Sequence, residues 1–399
     1  MNNREPFPPL FNRIQGASGI LAVIGIIGCI FGEMTEGPKS FLHSYLFAYI
    51  FWICFSLGCF GFMLLQNMVR ASWGFPLLRL FEAGAKTLPL MLILFLPIAM
   101  GIHYLYPWAD AALVKSDKVV AQHALWMNLG GVTGGGFILR TVIYFLIWIG
   151  MTVYLTRSTA KQDETGDYRL SQARTNVSSP GFLLLGLTMT LSFTDWVMSL
   201  DKHWYSTIFG MWFFMASGLS AMILMALIVV PARGSGPFTE EVMTKSFLND
   251  IGLFLIMFCM VWGYFTLSQF LIIWSGNLPE EIGYYLVRNS GGLLFVGAIR
   301  IIFQFFVPFL LLLSGRTKKT PAYLVSVAFL LLVMRVIDIY WTVVPAYRPV
   351  GAVHWMDFAA LFGMGGLWLF SFVWLAKQRP LLTAYDGLRV GEALGHEHA

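Results

Sequence analysis

Ten apolar runs, each about as long as a bilayer-crossing helix, take up most of this sequence. A helix needs about 20 apolar residues to cross the hydrocarbon core. The runs fall at about 14–32, 44–68, 86–106, 136–156, 180–199, 206–230, 249–275, 290–314, 321–343 and 356–376. Only 12% of the residues are charged and 57% are hydrophobic, where soluble domains carry about 25% charged residues. The sequence therefore reads as an all-α integral membrane protein with ten transmembrane helices. Its 35 Phe, 14 Trp and 15 Tyr suit lipid-facing surfaces and interfacial belts.

An even number of crossings puts both chain ends on one side, and Lys and Arg choose the side. The terminal tails and the loops after spans 2, 4, 6 and 8 hold 17 of the 26 basic residues, and the opposite loops hold 6. Basic residues collect on the cytoplasmic side, so both tails, 1–13 and 377–399, are expected there. The chain is expected to be one polytopic membrane domain over 1–399. Residues 1–14 are polar and Pro-rich and the first apolar run is long enough to span, so a cleaved signal peptide is not expected. The two longest connections are about 107–135, outside, and 157–179, inside. In the first, VVAQHALWMNL suits a short interfacial helix. The second is expected to be an exposed cytoplasmic loop. The scattered basic residues give no reason to expect nucleic acid as a partner. No repeat at a fixed period is evident.

Five ionisable side chains interrupt the spans: Arg140, Asp195, Arg300, Arg335 and Asp338. A charge at the centre of a membrane helix costs roughly 2.5–3.5 kcal/mol on insertion scales. Five unpaired ones would cost about as much as a whole fold is worth, so they must face one another, water or a ligand. At a rise of about 1.5 Å per residue, four lie in the outer half of the membrane and Arg300 lies near its middle. Arg335 and Asp338, spaced i, i+3, share one helical face. They are either a self-neutralising pair that locks packing or the wall of a polar pocket. Asp195 or a ligand oxygen must serve Arg140 or Arg300. Span 7 adds Tyr264, Thr266, Ser268 and Gln269 at similar depth. Of these, Tyr264 and Gln269 need partners when buried.

His and Cys limit the chemistry. His43, His103, His123, His203 and His354 fall in or beside outer loops, and His396 and His398 lie in the tail. None is placed as an axial ligand at mid-depth, so a cytochrome-b-type subunit is not expected. Cys29, Cys54, Cys59 and Cys259 are dispersed in apolar runs. Iron–sulfur clusters and structural zinc need clustered thiolates. No metal site and no covalently bound cofactor is therefore expected.

Two longer segments, DWVMSLDKHWYSTIFG at 195–210 and SQFLIIWSGNLPEE at 268–281, resemble signatures of one family. The chain is similar to the NrfD/PsrC-like polytopic membrane subunits of bacterial alternative complex III, in particular the shorter, ActF-type one. The resemblance covers nearly the whole chain. It departs from the family at Lys202, where Pro is usual, and in GGVTGGGFILR before Arg140, where aromatic residues are usual.

The resemblance implies two four-helix bundles, spans 2–5 and 6–9, flanked by spans 1 and 10. It implies a multi-pass place in the bacterial inner membrane, in a respiratory or photosynthetic quinol:cytochrome c type oxidoreductase. A sister NrfD-like subunit would be present, with iron–sulfur clusters and haem c on partner subunits at the outer side. This chain would contribute a quinone pocket, a proton path or both, with lipids around it and no redox centre of its own. It would not be catalytic alone.

On that reading Arg140, Asp195, Tyr264, Gln269, Arg300, Arg335 and Asp338 are the quinone or proton-path candidates. An outer-half carboxylate would take a proton, and a guanidinium would bond a quinone oxygen. His203, Trp204, Glu280 and Glu281 are candidates for docking partners, in outer loops that include 344–355. Two other readings stay open: a scaffold subunit whose buried charges only pair, and an independent secondary transporter with a midplane site.

Overall fold

The computed structural model describes residues 7–348 and 352–382. Its ten long apolar helices are Pro9–Glu36, Pro38–Val69, Leu78–Met100, Gly135–Thr165, Tyr168–Leu200, Phe209–Val229, Lys245–Gly276, Gly292–Leu313, Pro321–Ala346 and Trp355–Ala376, called spans 1 to 10. The protein is an all-helical, multi-pass membrane protein. His396 and His398 lie outside the described residues, as do 349–351 of the loop 344–355 and residues 1–6 and 383–399 of the tails.

Local chemistry sets the boundaries. Gly37, at φ 84°, breaks span 1 from span 2, and Pro38 starts the next helix where its missing N–H costs nothing. Span 3 is segmented as Leu78–Ala85, Leu88–Leu94 and Leu96–Met100, with Pro89 and Pro97 at the restarts. Span 7 ends on Asn277, a left-handed residue at φ 50°.

One expectation is corrected here. The stretch 157–179 is not a loop. Span 4 continues to Thr165, Gly166 turns the chain at φ 70°, and Asp167 caps span 5 by accepting from the Arg169 N–H. Polar composition suggested a loop, but some of the polar groups bond to one another inside: Arg174 is 4% exposed and bonds Asn67 and Gln162. The first helix begins at Pro9, within the stretch 1–13. The stretch VVAQHALWMNL does contain a short helix, Lys118–Met127.

Span 2 is the most buried helix and touches spans 3, 5, 6, 9 and 10. Its Gly58 permits close approach to span 6, since a Cβ there would lie 2.0 Å from the Ser217 carbonyl oxygen. Spans 2 and 3, 3 and 4, 4 and 5, and 5 and 2 are in contact. So are 6 and 7, 7 and 8, 8 and 9, and 9 and 6. Spans 1 and 10 pack tightly on each other and against span 2. Small residues let them meet backbone to backbone: a Cβ on Gly25 would lie 2.1 Å from Gly363 Cα. Lys377 bonds Asn12 and Gln15, which ties the start of span 1 to the end of span 10.

Candidate functional site

Span 8 is not a plain α-helix. It runs as α-helix from Gly292 to Arg300, as π-helix over Ile301–Phe306, and again as α-helix from Val307 to Leu313. Pro308 lies just past the π-turn and has no N–H to give, which accounts for a break in the ordinary ladder here. Such π-segments gather at functional sites. The outcome is that Arg300 and Gln304, at 4% and 0% exposure, both point inward while their neighbours Ile301 to Phe303 face out.

Inward lies span 9, with Arg335 and Asp338 at 0% exposure. The Asp338 carboxylate is the hub. Arg335 pairs with it through Nη1, and Arg300 Nη1 sits 3.1 Å from Oδ1. Trp262 Nε1 of span 7 donates to Oδ2 at 3.2 Å, and the same N–H is within 3.1 Å of the amide oxygen of Gln304, whose NH2 donates to the Met334 carbonyl. Arg335 Nε also donates to Ser220 Oγ of span 6 at 3.4 Å. The hub ties four spans together. It contains two guanidiniums and one carboxylate, so it carries an excess positive charge away from water.

The outer side of this hub opens into a cleft of about 520 Å³ between spans 7 and 8. Its walls include Trp262, Tyr264, Thr266 and Phe270 from span 7, Arg300, Ile301 and Phe305 from span 8, and Trp341 from span 9. Tyr285, on the surface helix Pro279–Arg288, closes one end. The rim residues Leu267, Leu294 and Phe306 are 58%, 56% and 49% exposed, so the cleft opens on the apolar flank of the protein. The Arg300 guanidinium carbon lies 3.7 Å from the Trp341 ring centroid, a cation–π contact. Arg300 Nε, Trp341 Nε1 and Thr266 Oγ1 have no hydrogen-bond partner among the described residues. Buried donors without acceptors are costly, and all three belong to residues that line the cleft.

A second, smaller cavity of about 40 Å³ adjoins it and shares Thr266, Tyr285, Arg300 and Trp341. It also borders Gln269, which is bonded by Ser206 Oγ. The surface helix is pinned over both by Arg288, whose guanidinium bonds the carbonyls of Tyr284, Trp341 and Thr342 and stacks 3.4 Å from the Tyr284 ring. Burial lowers the Arg288 pKa from its ordinary value.

The seven sequence candidates thus fall into two places. Arg300, Arg335 and Asp338 converge, Tyr264 lines the cleft, and Gln269 lines the adjoining cavity. Arg335 and Asp338 stand behind the wall and not on it. Arg140 and Asp195 lie apart, where spans 4 and 5 meet. There Arg140 Nε and Nη2 bond the Asp195 carboxylate at 2.8 and 3.0 Å, Nη1 bonds the Trp126 carbonyl at 2.8 Å, and the Tyr144 hydroxyl donates to Asp195 at 3.0 Å.

Trp204 is corrected as a docking residue. It is 3% exposed and stacks on Tyr284 with centroids 4.0 Å apart, so its ring is not offered to a partner. His203 is exposed and pairs with Asp117 at 3.1 Å. Glu280 is exposed and Glu281 half-buried, both in the first turn of the surface helix.

Sequence reasoning passed over Trp262, Gln304 and Trp341. Helical spacing held the signal for two of them: Gln304 is four residues after Arg300 and Trp341 three after Asp338, on the same faces. Fold and site together define a multi-pass helical membrane protein with a flank-opening, aromatic-walled cleft backed by a buried cationic hub. No protein-family model matches the chain, and no curated protein matches it.

Proposed function

We propose that the cleft between spans 7 and 8 binds the head group of a quinone or quinol that enters from the lipid. The observation that carries this reading is the trio of unpartnered donors, Arg300 Nε, Trp341 Nε1 and Thr266 Oγ1, on residues that line an apolar cleft of about 520 Å³. Ligand sites have this size and character: mostly apolar and aromatic, with a few converging polar groups. A quinone head is a flat ring with two carbonyl acceptors, and its isoprenoid tail needs an opening to lipid. Aromatic walls suit the ring and the N–H groups suit an oxygen. The excess positive charge behind Arg300 favours an electron-rich or anionic head.

On this reading the chain is an NrfD/PsrC-like, ActF-type subunit of alternative complex III in the bacterial inner membrane, with both termini cytoplasmic. It works in a quinol:cytochrome c type oxidoreductase beside a sister NrfD-like subunit. Haem c and iron–sulfur clusters on outer-side partner subunits take the electrons. Protons released by the quinol pass to water along the polar groups of the site, with Tyr264 and Asn289 lining the cleft and Gln269 the adjoining cavity. Asp338 acts through Arg300. The scaffold reading has its own support at Arg140 and Asp195, which bond each other, the Trp126 carbonyl and the Tyr144 hydroxyl and need no ligand.

Purification of the complex in mild detergent tests the proposal. Co-purified haem c and iron–sulfur signals, with one extractable quinone retained by this chain, are expected. A chain that purifies alone and without quinone would sink it.

A further inference from the structure

Two pairs of neighbouring spans carry the same four-position arrangement. On span 4, Arg140 and Tyr144 stand one helical turn apart, and both donate to Asp195 on span 5. On span 8, Arg300 and Gln304 have the same spacing; Arg300 pairs with Asp338 on span 9 directly, and Gln304 is joined to it through the Trp262 N–H that both accept. Four residues after each aspartate, a hydroxyl bonds back to that aspartate's carbonyl: Ser199 to Asp195 at 2.5 Å and Thr342 to Asp338 at 2.8 Å. The order along the chain is also the same. The separations from Tyr144 to Asp195 and from Gln304 to Asp338 are 51 and 34 residues, so no fixed period exposes the correspondence.

The two arrangements differ three residues before the aspartate. In the first, that position is Ser192, buried and bonded to its own helix at the Met189 carbonyl. In the second it is Arg335. With Ser192 as the neighbour, Asp195 accepts two nitrogens of Arg140, and the third bonds Trp126. With Arg335 pairing to Oδ2, Arg300 stands 3.1 Å from Oδ1 with Nη1 alone, close enough for an ion pair but without a hydrogen bond, and its Nε keeps no partner.

We infer that Arg335 is a positioning residue for the cleft: by competing for Asp338, it keeps the Arg300 guanidinium from closing on the carboxylate and leaves it facing a ligand. The identity of that ligand rests on the quinone reading, but the state of Arg300 does not. The arrangement leaves a buried positive charge uncompensated, which is unfavourable on its own. Removing Arg335 leaves one guanidinium and one carboxylate, as in the first arrangement. A residue kept for binding and not for stability has this signature. A residue kept as a structural clamp would behave in the opposite way.

The experiment uses the full-length chain in lipid nanodiscs with arginine labelled in ¹⁵N, and the variants Arg335→Ser and Arg335→Met. Arg300→Lys assigns the Arg300 Nε–H resonance and Arg140→Lys that of Arg140. In both Arg335 variants the Arg300 Nε–H proton is expected to move downfield toward the carboxylate-bound Arg140 signal. Melting temperature should hold or rise. The dissociation constant for decyl-benzoquinone should rise at least tenfold. An Arg300 resonance that does not move in either variant overturns the inference, as does a fall in melting temperature with unchanged quinone binding. If the resonance moves but the unsubstituted protein binds no quinone, the positioning role stands and the quinone reading fails.

Discussion

Arg300 stacks over the ring of Trp341, its guanidinium carbon 3.7 Å from the centroid, and each residue leaves one N–H unpartnered at the wall of the same cleft. The contact joins span 8 to span 9 in front of the Asp338 hub. It is the point at which buried charge meets a surface that a lipid-soluble molecule can reach. Behind it, the hub is held from four spans, so the donor wall is a rigid one. Preorganised donors of this kind lose little on binding.

Removing the carboxylate should damage the fold. Asp338→Asn leaves the guanidiniums of Arg300 and Arg335 buried with no anion between them. Breaking a buried pair from one side costs about 3–5 kcal/mol. A lower melting temperature in detergent is expected, with quinone binding weakened through the disturbed Arg300. A variant that melts like the unsubstituted protein would show that the hub is not held by charge.

Arg140 and Asp195 should behave as a structural pair. Arg140 is partly exposed, with 28% of its side chain accessible, so the loss from a single replacement should be smaller, about 1–3 kcal/mol. The charge-neutral double replacement Arg140→Met with Asp195→Asn should melt closer to the unsubstituted protein than the sum of the two single changes. A double-mutant cycle of melting temperatures reads this directly. Quinone affinity should be unchanged in all three variants. A loss of affinity comparable to that of Arg300→Met would assign the ligand to the wrong pair of spans.

The surface helix Lys118–Met127 should loosen in mild acid. Burial lowers the His123 pKa below its ordinary 6.5, and the nearby His203 lowers it further, with Asp117 opposing. The folded state therefore holds His123 neutral, and the unfolded state binds the proton more readily. Its contribution to stability is intact above about pH 6.5 and is lost as the pH falls below that value. Amide exchange across 118–127 should quicken between pH 7.5 and 5.5 relative to span 2. His123→Gln should flatten that dependence. Equal acceleration in the variant would place the cause elsewhere.

Much of this architecture was legible in the sequence because lipid leaves a helix few choices. The ten spans follow from run length alone, and Pro38, Gly166 and Asn277 mark real boundaries. The polar stretch 157–179 misled because hydropathy cannot tell a solvated loop from helix whose polar groups, such as Arg174 and Gln162, bond each other inside. Asp338 and Arg335 were visible as an i, i+3 pair. Their link to Arg300 was not, since nothing in a sequence shows which of two carboxylates a distant guanidinium will find. The π-turn at Ile301–Phe306, which turns both Arg300 and Gln304 inward, does not declare itself in composition. Trp204 shows the reverse: an outer-loop aromatic that looked available is buried on Tyr284.

The central claim is that a quinone head sits between spans 7 and 8 against Arg300, and photo-cross-linking in native membranes tests it most directly. A benzoquinone with a diazirine on its tail would be activated in place and the adducts mapped by peptide mass spectrometry. Labelling should concentrate on residues 260–270 and 294–306, fall when excess decyl-benzoquinone competes, and be lost in Arg300→Met while the protein stays folded. Competed labelling on spans 4 and 5 instead, or none on this chain, would contradict the account.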